Sequence, residues 1–82
     1  MPHATLTPPA LAVLRVLADA DGDATPCPSL RVLASLAGLD TPSKALHALL
    51  LLSDRRLIDG YGSDRRLTDA GWETLDALGG GR

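Results

Sequence analysis

The sequence predicts an α+β domain, mainly α, with three helices, a small β-hairpin and a C-terminal helix. Three observations carry that expectation. Leu, Ala and Val recur at helical spacing in several stretches, each preceded by a Ser or Thr at which a helix can start. Two of the helical stretches are separated by only Gly38-Leu39-Asp40, the tight turn of a helix-turn-helix. Two short β-type runs then flank Gly62-Ser63-Asp64, which has turn composition.

Thr7-Pro8-Pro9 opens the first helix, because Thr caps a free N–H and proline is tolerated in the first turn. Leu11, Leu14, Leu17 and Ala18 carry it to about Ala20, and Asp19-Ala20-Asp21-Gly22-Asp23 is expected to stop it in a loop. Thr25-Pro26-Cys27-Pro28 is extended, since a residue before proline is pushed out of the helical region. Ser29 caps a second helix with Leu30, Leu33, Ala34 and Ala37 on one face, and Gly38 ends it. Thr41-Pro42 repeats the cap and proline for a third helix over 41–54, with Ala45, Ala48, Leu49 and Leu52 as its stripe. Strands are expected over 57–61 and 65–67. Thr68 caps a last helix carrying Trp72, Leu75 and Leu78. The domain is thus 7–78, with a disordered start over 1–6 and a flexible tail over 79–82.

The chain has 82 residues and is 45% hydrophobic, yet it contains no Phe, one Trp and one Tyr. Its core must come from Leu, Ala and Val, and a domain this small is only marginally stable. The net charge of −2 argues against a nucleic-acid partner. Its distribution argues the other way. Residues 41–68 carry Lys44, Arg55, Arg56, Arg65 and Arg66 against Asp54, Asp59 and Asp64, for a sum of +2, whereas 1–40 and 69–82 each sum to −2. Four of these cations lie in a phrase said twice, Ser53-Asp54-Arg55-Arg56-Leu57 and Ser63-Asp64-Arg65-Arg66-Leu67. Two copies are too few for a repeat architecture. The consequence of the repetition is geometric: two Arg pairs bracket one hairpin.

Cys27 is the single cysteine, so no intrachain disulfide or thiolate cluster forms, which fits a reducing cytoplasm. It reads as a small packing residue, with no nearby base to activate it. The N-terminus lacks a leader pattern, and the longest apolar run, 48–52, is too short to cross a membrane. Asp19-x-Asp21-x-Asp23 opens like a calcium loop, but Ala24 and Leu30 stand where Gly and Glu are needed, so it reads as a solvated loop. His47 has no ligand partner three or four residues away. Gly60-Tyr61-Gly62 reads as turn chemistry. No paired carboxylates, activated nucleophile or phosphate-cradling loop is present, so no enzyme, cofactor or metal is expected.

Pro28-Ser29-Leu30-Arg31, Leu33-Ala34, Ala37-Gly38-Leu39 and Thr41-Pro42-Ser43 resemble the DNA-binding domain of LexA-type repressors. Leu49, Leu52, Leu57 and Ile58 fall at the later apolar positions of that pattern. Leu67-Thr68-Asp69-Ala70-Gly71 is similar to the wing-to-helix junction of MarR-like regulators. The element order is that of the winged helix-turn-helix fold. The resemblance implies a third helix in the major groove of double-stranded DNA and a hairpin wing on a neighbouring phosphate or minor groove. Thr41, Ser43, Lys44 and His47 are then the contacts on the helix, and Arg55, Arg56, Arg65 and Arg66 those at and on the wing. The implied function is a sequence-specific transcriptional repressor, cytoplasmic and homodimeric.

The departures from that pattern are apolar. Leu46, Leu50 and Leu51 share the expected outer face of the third helix with Ser43, Lys44 and His47, and Val32 and Leu36 lie away from the core stripe of the second. Contiguous exposed leucines mark a protein interface. A second reading therefore stays open, an adaptor that binds a protein partner through the leucine-rich face. Trp72 belongs either to the core or to a dimer interface.

Overall fold

A helix starts where a side chain can satisfy its free N–H groups, and the four expected caps all do so. The computed structural model describes residues 6–77. Within them, α1 spans Pro8–Gly22, α2 Leu30–Leu36, α3 Pro42–Asp54 and α4 Asp69–Ala77. The Thr7, Ser29, Thr41 and Thr68 hydroxyls accept from the N–H groups of Ala10, Val32, Lys44 and Gly71 at 3.3, 3.5, 3.3 and 3.1 Å. Between α3 and α4 lies an antiparallel hairpin, β1 Ile58–Asp59 and β2 Arg66–Leu67, with Ile58 opposite Leu67 and Asp59 opposite Arg66. The domain is mainly helical with a two-stranded wing, the winged-helix architecture that the sequence predicts.

The ends of α1, α2 and α3 share one device. Thr25 N–H reaches Ala20 O at 2.8 Å and Ala24 N–H reaches Asp21 O at 3.1 Å; Leu39 and Gly38 repeat this on Ala34 and Ser35, and Leu57 and Arg56 on Leu52 and Ser53. These are Schellman caps, whose central residue sits at positive φ. Those residues are Ala24 (58°), Gly38 (74°) and Arg56 (59°). α1 therefore runs two residues past the expected stop at Ala20. Gly22 stays helical, and the chain turns at Ala24, because the cap bonds compensate for a backbone an alanine disfavours.

The strands are shorter than expected. Instead of extending the ladder to 57–61 and 65–67, the chain folds through a 3₁₀ turn, Gly62–Asp64. Asp64 N–H bonds Tyr61 O at 2.9 Å, and Arg65 N–H bonds Gly62 O at 3.3 Å. Gly60 is essential to this tight tip: at φ 87° a Cβ there would lie 2.5 Å from the Asp64 carbonyl oxygen.

The centre of the core is Val13, Leu14, Leu17, Leu33 and Leu52, all essentially without solvent contact. The stripes of α1, α2 and α3 pack around it as their spacing predicts. Leu51, expected on the outer face of α3, is half-buried against this core, as is Trp72. Leu6 is buried too, although it falls in the segment 1–6 expected to be a disordered start. The rest of that segment, Leu78 and the tail 79–82 lie outside the described residues.

One joint closes the hairpin. The Thr68 hydroxyl donates to Arg56 O at 2.7 Å while accepting from Gly71 N–H, and Thr68 N–H bonds Leu57 O at 3.1 Å. A Cβ on Gly71 would collide with the Leu57 carbonyl oxygen, so only glycine lets α4 come this close to the start of the wing.

Substitutions at two of these positions should move stability in opposite directions. Ala24→Gly relieves the positive φ without removing a side-chain contact, and should raise unfolding stability in urea by about 1 kcal/mol. Gly71→Ala should lower it by at least about 2 kcal/mol, because backbone has to move.

Candidate nucleic-acid interface

On α3, Ser43, His47, Leu50 and Asp54 succeed one another at spacings of four, three and four, which sets them on a line opposite the buried Ala45, Ala48, Leu49 and Leu52. All four are exposed. The line opposite the core therefore carries a hydroxyl, an imidazole, a leucine at 58% exposure and a carboxylate. Thr41 and Lys44 stand beside its N-terminal end. The Thr41 hydroxyl is engaged as the cap of α3, and Lys44 Nζ pairs with Asp40 Oδ2 at 3.0 Å. That pair is exposed on both sides, so it holds Lys44 weakly.

At the other end, Arg55 caps α3 and Arg56 occupies the left-handed position after it, both exposed. Arg66 is exposed on β2, directly across from Asp59. Arg65 differs. Consecutive residues of an extended strand point to opposite sides, and Arg65 turns inward, half-buried against the Cys27 thiol. The two wing arginines are thus not equivalent, and one of them faces the protein. Over 57–67 Asp59 and Asp64 balance Arg65 and Arg66, so the wing by itself is neutral. Arg55 and Arg56 sit at its base beside Asp54, for a sum of +1 there.

Cys27 is buried, and its thiol leans towards the Pro28 carbonyl oxygen at 3.4 Å. Burial pushes the thiol above its ordinary pKa, while the hydrogen bond and charge of Arg65 pull the other way and only partly offset it. A protonated, enclosed thiol is a packing residue.

The wing is also stitched to the last turn of α1 and to the α1–α2 connection. Leu67 N–H donates to Asp21 Oδ2 at 3.3 Å, and Cys27 N–H donates to Ser63 O at 3.1 Å. Asp21 therefore departs from the solvated loop expected at 19–23: it is a clasp on a strand 46 positions away. Nothing local in the sequence marks it, because its partner is a backbone amide brought near by folding. Between the connection and the wing lies an open cleft of about 370 Å³, where Asp21 and Asp64 face Arg65 and Arg66. Its mixed charge favours no ion of one sign.

The exposed apolar residues fall into two groups. Leu46 and Leu50 lie on α3, and Leu50 is on the candidate reading line itself. Leu36 borders a cleft with Val16 and Ala20 of α1, and Val32 lies one turn away on α2. Tyr61, passed over in the sequence as turn chemistry, is 88% exposed at the tip of the wing. Its signal was an aromatic residue between two glycines in a chain otherwise almost free of aromatics. No group of His, Cys, Asp or Glu among the described residues is arranged to hold a metal ion, and no helix among them is long and apolar enough to cross a membrane.

Asp21→Ala should free the Leu67 amide. Hydrogen exchange at that amide should accelerate, and global stability should fall by about 1–2 kcal/mol, the cost of an unsatisfied partly buried donor.

Compared with models of protein families, with curated proteins and with solved structures, the chain gives no match in any of the three. What it has is a generic winged-helix-like fold, four helices and a short antiparallel hairpin among its described residues.

Proposed function

We propose that the chain is a sequence-specific DNA-binding transcriptional regulator, acting as a repressor by occupying its site. The observation that carries this reading is exposure on a winged-helix-like fold. Ser43 and His47 stand in solvent on the outer line of α3, and Arg55 and Arg56 at the end of that helix and Arg66 on β2 are exposed as well. With α3 in the major groove, Ser43 and His47 read base edges. Thr41, Lys44, Arg55, Arg56 and Arg66 hold phosphates, which add affinity and salt dependence but little sequence preference. Arg65 supports the wing from within. The resemblance to LexA-type and MarR-like domains supports the same placement. A homodimer in a reducing cytoplasm completes the reading, since two half-sites let a weakly basic monomer bind tightly. Trp72, only partly covered on α4, is the candidate dimer contact.

A specific observation favours a second reading, a winged-helix adaptor with a protein partner. Leu50 is exposed on the line that would face the bases, with Leu46 beside it. Leu51 drops out of that face because it packs on the core. Val32 and Leu36 on α2 offer a second, separate apolar patch to such a partner.

Fluorescence anisotropy with a randomised duplex pool, and selection from that pool, tests the first reading. Binding should weaken steeply with salt and enrich a palindromic sequence. Arg55→Gln with Arg56→Gln should reduce the slope of log affinity against log salt by about two, while His47→Ala should change the sequence preferred. No binding even at low salt would leave the adaptor. In that case Leu46→Glu with Leu50→Glu should abolish the protein contact and leave the monomer folded, since both side chains already meet water.

A further inference from the structure

We infer that Tyr61 is the residue through which the tip of the wing engages DNA, by contact of its ring with sugars and base edges rather than by charge. This rests on the DNA-binding reading above and adds a contact of a different kind. Four observations carry it. The phenol is more exposed than any other large apolar side chain among the described residues, at 88%. Both its neighbours are glycines, and the space where Gly62 would carry a side chain is open, so a nucleic-acid strand can approach the ring closely.

The tip that carries the ring is firmly built. Asp64 N–H bonds Tyr61 O at 2.9 Å, Gly60 N–H bonds Asp59 Oδ1 at 2.8 Å, and the turn is tied to the α1–α2 connection through Ser63. A ring on such a mount loses little backbone freedom on binding. Finally, the wing is electrically neutral. Asp59 and Asp64 flank the tip, Arg65 faces inward and Arg66 stands across from Asp59. A phosphate clamp at the tip would meet two carboxylates, whereas an aromatic ring grips apolar and stacking surface without needing a net positive field. The wing base supplies the phosphate contacts and the wing tip supplies the ring.

The two kinds of contact leave different marks on a salt titration. Affinities of wild type, Tyr61→Ala, Tyr61→Phe and Arg56→Gln for a selected duplex, measured from low to physiological salt, separate them. Tyr61→Ala should bind about tenfold more weakly at every salt concentration with the slope unchanged, the size expected for one aromatic contact. Tyr61→Phe should keep most of the affinity. Arg56→Gln should instead flatten the slope by about one. Tyr61→Ala binding as tightly as wild type, or losing affinity only at low salt, overturns the inference while leaving the DNA reading intact. A wild type that binds no duplex overturns both. The side chain is solvent-exposed, so an unchanged unfolding midpoint shows that the variant is folded and that the comparison is fair.

Discussion

The Thr68 hydroxyl stands where three elements meet. It receives the first turn of α4 and donates to the carbonyl of Arg56, the residue that turns the chain out of α3. A two-residue ladder is too short to hold a hairpin by itself. The wing is instead fixed at its base by Thr68, by the approach of Gly71 to Leu57, and along its flank by Asp21 and Cys27. The direction of the wing relative to α3 therefore depends on side chains and backbone groups outside the hairpin.

That arrangement changes how the charge pattern is understood. Two Arg-Arg pairs bracket the hairpin in sequence, but folding gives them separate roles. Arg55 and Arg56 remain in water at the foot of α3. Arg65 is drawn in beside a thiol, and only Arg66 projects from β2, facing an aspartate. The exposed arginines thus stand mainly at the end of α3 and the wing base, where Arg55 and Arg56 adjoin Asp54, while the tip offers an aromatic ring. The acidic total of the chain matters less than this separation, since screening in physiological salt confines a charge's influence to roughly 8 Å.

The outer face of α3 holds the tension in the molecule. Ser43 and His47 suit recognition of bases, and Leu50 between His47 and Asp54 suits an apolar partner. A leucine in a major groove has the thymine methyl as its natural contact, so the two chemistries are compatible on one surface. On α2, exposed Leu36 borders a cleft against α1, which makes it a separate feature.

Helix starts, core stripes, the helix-turn-helix and the fold class were all determined by the sequence itself. Each depends on local chemistry: a hydroxyl three residues before a free N–H, a proline in a first turn, an apolar side chain every third or fourth position. The last turn of α1 escaped it, because a Schellman cap lets Ala24 do what glycine usually does. The strand lengths escaped it as well, because the 3₁₀ turn consumed the residues that would have lengthened the ladder. Tertiary structure alone decided that Arg65 faces inward, that Leu51 is half-covered, that Tyr61 is held out and that Asp21 clasps the wing. These are consequences of which surfaces meet when distant segments pack, and no residue carries that information in its neighbours along the chain.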